Sequence, residues 1–219
     1  TVQQFNRLRH AKIGGTKGRM LTESLADIFE EYNALLRDFQ GAVADPTDTA
    51  ARQFEEEFLK FRAKVKDLEQ RLAAVINLAF DDADTLGERM KVIECFEALA
   101  RRPLIQDELE KKQLRILELF KDELKTVRGI FEEGRALIEA QDIAAPVFNN
   151  LPPVSSAVMF VRSLERRIAE PFERLKQLSA EVQASEEFQE VTALYRQVAE
   201  RLEGYRSQRI LQWELEIEE

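Results

Sequence analysis

Residues 54–80 read FEEEFLKFRAKVKDLEQRLAAVINLAF, and their spacing decides the fold. Phe54, Phe58, Phe61, Val65, Leu68, Leu72, Val75 and Ala79 recur in steps of four and three. That rhythm holds them on one face of an α-helix and turns the intervening charges to the other. The segment predicts a helix from about Asp48 to Phe80, roughly 45 Å long at ~1.5 Å per residue. So long a seam needs partner helices, and the flanking sequence offers them.

Upstream, Leu21, Leu25, Ile28, Tyr32, Leu35 and Phe39 repeat the rhythm and predict a helix from Leu21. Gly41 and then Asp45-Pro46-Thr47-Asp48 end it, because glycine tolerates a left-handed terminus and proline cannot continue the ladder. Downstream, Asp81, Asp82 and Asp84 break the pattern, and Asp84 is placed to cap the next helix. Thr85 to Ala100 carries Leu86, Met90, Ile93 and Phe96. After Arg101-Arg102-Pro103, Leu104 to about Gln141 carries Leu109, Leu114, Leu117, Phe120, Leu124, Val127, Phe131 and Leu137. Gly129 and Gly134 inside it point to a bend or a close helix contact. Residues 144–153 are irregular, with Pro146, Asn149, Asn150, Pro152 and Pro153. Val154, Ala157, Val161, Leu164, Ile168, Leu175 and Leu178 mark the next helix, in which Pro171 predicts a kink. A last helix from near Ser185 carries Phe188, Val191, Tyr195, Val198, Leu202, Tyr205 and Trp213. The reading is all-α: elongated, stacked antiparallel helical bundles built from long coiled-coil-like helices. A lead-in occupies residues 1–20, a first bundle 21–148, and a second helical segment 149–219.

Composition agrees. The chain has 219 residues, 44% apolar and 33% charged, with only eight glycines and six prolines. Fourteen phenylalanines supply surface that must be buried, which disfavours disorder. The longest unbroken apolar run, Ala157 to Val161, is far short of the ~20 residues a membrane span needs. Thr1 to His10 is polar and basic, unlike a signal peptide, and the missing initial Met reads as a piece of something longer. A net charge of −9, from 41 acidic and 32 basic residues, argues against nucleic acid as a partner. Cys95 stands alone, so no internal disulfide forms and a reducing compartment is allowed.

Catalytic material is scarce. His10 is the single histidine, so a di-iron bundle site with its two Glu-x-x-His pairs is ruled out, and a zinc site or a triad would rest on His10 alone. Gly14-Gly15-Thr16-Lys17-Gly18 lacks the spacing and the preceding strand of a phosphate-binding loop and reads as a turn into the first helix. Cys95 reads as a small apolar filler rather than a nucleophile. Glu55-Glu56-Glu57, Asp81-Asp82 and Glu214 to Glu219 lack calcium-loop spacing and read as solvated faces. Arg101-Arg102 and Arg166-Arg167 have carboxylates within a turn or two, which predicts intrahelical pairs. Trp213 and the phenylalanines read as core rather than cofactor contacts, with Trp213 also available to anchor a partner protein. No catalytic, cofactor-binding or metal residue is assigned, and no cofactor.

Asn150-Leu151-Pro152-Pro153-Val154-Ser155-Ser156-Ala157-Val158-Met159-Phe160, followed by Arg162-Ser163-Leu164, Arg167-Ile168 and Pro171, is more specific. It resembles a signature in the N-terminal tail (stem) of dynein heavy chains, Asn-x-Pro-Pro-Val-Ala-Gly-Ala-Ile-x-Trp followed by Arg-x-Leu, Arg-Ile and a proline. Ser156 replaces the usual glycine and Phe160 the usual tryptophan. The stretches Gly14 to Thr22, Phe96 to Ile105 and Tyr205 to Trp213 resemble other tail segments in the expected order.

The resemblance implies a helical stem piece without the ATPase ring, which in that family lies far downstream. It implies WD-repeat intermediate chains, light chains, other dynein heavy chains and docking proteins as partners, and no nucleic acid or membrane. The form of the motif is similar to axonemal chains, which implies a cytoskeletal location in the axoneme of a cilium or flagellum, with a doublet microtubule as cargo. Two other readings compete: an unrelated spectrin-like spacer or tether, and an enzyme built in a bundle.

Overall fold

A computed structural model describes residues 13–42, 50–99, 102–140 and 151–218, and among these the regular structure is helical throughout, with no strand. The helices are α1 (Gly18–Ala42), α2 (Ala50–Asp82), α3 (Leu86–Phe96), α4 (Pro103–Glu139), α5 (Pro153–Leu175), α6 (Ala180–Gln183) and α7 (Glu186–Glu218). A short 3-10 turn, Glu97–Leu99, follows α3. The chain divides into two compact units, the first ending at Gln113 and the second beginning at Leu114. His10, the Asp45–Asp48 terminator, Arg101, Pro146, Asn149 and Asn150 lie outside the described residues.

In the first unit α1 packs along α2, and α2 against α3. Leu21, Leu25, Ile28 and Tyr32 of α1 bury the predicted seam against Leu68, Leu72, Val75, Ile76, Ala79 and Phe80 of α2. The seam of α2 is not buried throughout: Phe54 and Phe58 remain 42% and 40% exposed, stacked on each other and touching Phe39. The cap of α3 is Thr85 rather than Asp84. Thr85 Oγ1 accepts from the Glu88 amide (3.2 Å), and the Glu88 carboxylate accepts from the Thr85 amide (3.1 Å), a reciprocal capping box that Asp84 is one residue too early to make. Pro103 opens α4, where its missing N–H costs nothing, so it acts as a start signal.

In the second unit α5 packs along α7. Ile116, Leu117, Phe120, Leu124, Val127 and Phe131 of α4 are buried with Ala157, Phe160, Val161, Leu164, Ile168, Phe172 and Leu175 of α5 and Val191, Val198, Leu202 and Tyr205 of α7. Leu114, counted on the seam, is exposed instead. At the centre Phe172 stacks on Tyr195 at 3.7 Å between centroids, with Phe120 beside both. Gly134 fulfils the expected close contact: a Cβ there would lie 2.4 Å from Cζ of Phe160. Gly129 does not, since nothing approaches its Cβ position within 4 Å. Helix α5 runs on past Pro171 to Leu175, and the buried Phe172 and Leu175 hold this last turn. The helix then stops short of Leu178, and the Gln183 side-chain amide donates to the carbonyls of Lys176 (3.1 Å) and Leu178 (2.7 Å), satisfying the turn that leads to α6.

Candidate functional site

Three places could carry chemistry or recognition: the glycine-rich turn, the cleft beside it, and the apolar side chains left on the surface. The turn comes first because it looks most like an anion site. Gly15 adopts φ +91°, a left-handed conformation that favours glycine, and turns the chain into α1. An anion is already seated there, supplied by the protein itself. Thr16 Oγ1 donates to Asp82 Oδ1 (2.6 Å) and the Lys17 amide donates to Asp82 Oδ2 (2.7 Å). The bond from Thr16, then that from Lys17, holds the Asp82 carboxyl below its ordinary value. The carboxylate therefore does what a phosphate would do at a helix N-terminus, and the turn is an internal clamp between the start of α1 and the end of α2. Asp82 thus serves as a partner for the turn while remaining open to solvent.

Beside the clamp lies a cleft of about 250 Å³ lined by Ile13, Gly14, Ala83, Glu88, Lys91, Val92 and Cys95. Cys95 is half-buried, and burial, with Glu94 adding to it, raises its thiol above the ordinary value. It stays protonated at neutral pH, which suits a filler and not a nucleophile. Glu88 is engaged in the capping box. Among the described residues no three His, Cys, Asp or Glu side chains gather as metal ligands.

One arginine of each basic pair reaches a carboxylate distant in sequence rather than one within a turn or two. Arg102 pairs with Glu69 of α2 and lies over the Tyr32 ring at 5.8 Å. Arg167 pairs with Glu123 of α4. Arg102 ties the entry to α4 to α2, and Arg167 ties α5 to α4. Sequence spacing finds neighbours along a helix, and it has no access to which helix lies alongside. Lys121–Glu190 (2.6 Å), Arg201–Glu132 (2.7 Å) and Arg206–Glu165 (3.1 Å) do the same in the second unit.

What remains is surface. Leu151, Pro152, Pro153 and Met159 are exposed at the start of α5, while Ala157, Phe160 and Val161 are buried. The start of α5 therefore leaves several apolar side chains exposed. Trp213 is not core: it is 48% exposed, in company with Leu211, Leu215 and Ile217. This favours the partner-anchor reading of Trp213 over the core one, and the strict alternation of apolar and polar residues from Leu211 to Glu218, which departs from the helical seam, signals the exposure of its neighbours. Such an arrangement can recognise protein partners.

Comparison with known proteins gives these surfaces a context. The family profile described as dynein heavy chain, N-terminal region 1, matches residues 1–219. The chain is similar to the dynein beta chain of the flagellar outer arm of Chlamydomonas reinhardtii, 37% identical over 97% of this chain and 4% of that protein. It is 31% identical to the ciliary dynein beta chain of Heliocidaris crassispina over 81% of this chain and 4% of that one. It is 27% identical to dynein axonemal heavy chain 9 of Homo sapiens over 97% of this chain and 5% of that one. The chain thus spans about one twentieth or less of the length of these relatives.

Proposed function

This chain belongs to the dynein heavy chain family, within its N-terminal region 1, and on that premise we propose that it is a non-catalytic tail segment that scaffolds the motor's other subunits. It holds WD-repeat intermediate chains and light chains, meets neighbouring heavy chains and docking proteins, and anchors the motor to a doublet microtubule in the axoneme of a cilium or flagellum. The observation that carries this reading is the match over the whole chain, joined by flagellar, ciliary and axonemal relatives. The same match displaces the unrelated spectrin-like spacer.

The physical logic supports the role. Helices tied by cross-helix ion pairs and aromatic stacks make a firm platform, and exposed apolar side chains on it are available to partner proteins. The exposed apolar side chains of Leu151 and Met159 are the ones we assign to subunit capture. Introducing Leu151→Asp with Met159→Asp into the complete heavy chain should lower recovery of intermediate chains with the purified complex about tenfold while leaving the thermal unfolding of this segment intact. Full recovery would remove the face from the interface. Reproducible ATP turnover by the 219-residue chain would overturn the non-catalytic assignment.

A further inference from the structure

Along α5 the exposed side chains Ser155, Met159, Arg162 and Arg166 follow one another in steps of four, three and four. At about 100° per residue they fall within about 60° of one another, roughly opposite Ala157, Val161, Leu164, Ile168 and Leu175. That second stripe is the buried one. Helix α5 therefore carries the spacing of a helix seam twice, once covered and once open. Charge is left over on the open stripe. Each carboxylate of α5 is committed elsewhere: Glu165 to Arg206 (3.1 Å), Glu170 to Arg174 (3.7 Å) and Glu173 to Lys176 (2.5 Å). Arg167 is taken by Glu123 of α4. Arg162 and Arg166 make no hydrogen bond or ion pair among the described residues, and Arg162 reaches Glu165 only through its field. Two guanidinium groups at i and i+4 repel, and no described carboxylate sits between these two.

We propose that the Ser155–Arg166 stripe of α5 docks an acidic helix of another polypeptide of the motor complex, with carboxylates on Arg162 and Arg166 and an apolar side chain on Met159. The inference rests on the tail reading above and deepens it, naming the chemistry of what the start of α5 captures. Charge complementarity selects the occupant. A guanidinium takes a carboxylate in a two-pronged hydrogen bond, and arginine and methionine are both enriched where proteins meet. The thioether is pliant enough to fit whichever apolar side chain lies against it. The four–three spacing selects a helix over an extended peptide, because carboxylates one turn apart meet arginines one turn apart. A net charge of −9 works against an acidic partner over the chain at large, so two uncompensated arginines mark where one can land.

The test uses the complete heavy chain in its purified complex. Arg162→Glu with Arg166→Glu should lower recovery of one other subunit about tenfold, because the reversal sets like charges against each other. Both arginines are exposed, so neither substitution disturbs the core. Arg162→Lys with Arg166→Lys should keep that subunit but release it at lower salt, since lysine keeps the charge and loses the fork. In the lysine variant a carbodiimide joins an ε-amine to a neighbouring carboxylate as an amide, with loss of water. The linked peptides should come from an acidic helix of the subunit that the glutamate variant loses. Links confined to the heavy chain's own carboxylates would overturn the inference. Full recovery of every subunit with the glutamate variant would overturn it too. If the Leu151/Met159 variant then loses intermediate chains, the tail reading stands without this inference.

Discussion

Gly129 and Gly134 sit five residues apart on α4, and the structure gives them opposite roles. At Gly134 an added methyl would meet the Phe160 ring, whose Cζ and Cε1 lie 2.4 and 2.7 Å from the Cβ position. Gly134→Ala should therefore destabilise the second unit by about 1–3 kcal/mol. Gly129→Ala, facing open space in a helix interior, should stabilise by about 0.5–1 kcal/mol. Parallel thermal melts read both signs, and two shifts of the same sign would contradict the packing. The Asp82 clamp is also a residue-scale device. Its carboxyl titrates below the ordinary value of 3.8 in the folded chain, so its stabilisation is complete above that value and fades as pH falls through the depressed one. Asp82→Asn should lower the melting temperature at pH 6 and flatten its dependence on pH below 4. Gly15→Ala should cost about 1–3 kcal/mol by forcing a side chain into positive φ. Sequence alone identified the turn but not its partner, because Asp82 is 65 residues from Lys17 and no local pattern joins them.

At the scale of the element, four–three spacing located every long helix but not how deeply each seam is buried. In α2 the same rhythm covers Phe58, 40% exposed, and Leu72, fully buried. Leu72→Ala should cost about 2–5 kcal/mol, while Phe58→Ala should cost well under half as much, as chemical denaturation of the two variants would show. Helix ends were read to within a few residues where proline marks them, as at Pro103 and Pro153, while the cap at Thr85 was placed one residue early, at Asp84. The break after Leu175 was missed, since Leu178 continues the apolar count and the turn depends on Gln183 folding back. Leu211, Trp213, Leu215 and Ile217 alternate like a strand, yet α7 continues through them. Glutamate and leucine favour helix, and the helix arrives already nucleated by 25 preceding residues from Glu186 to Ile210.

For the molecule as a whole, fold class and family were legible early, the first from periodicity and the second from the Pro-Pro segment with its following arginines. The working surfaces were less legible. Exposure is a property of the assembled bundle, and a seam residue looks the same in sequence whether a partner lies over it or not. The central claim is that these helices hold dynein subunits. Its most direct test is to immobilise the 219-residue chain, confirmed as folded by a cooperative melt, and to measure recovery of intermediate chains from a ciliary extract. The account predicts that WD-repeat intermediate chains are retained and that Leu151→Asp with Met159→Asp releases them. A folded chain that retains none would contradict it.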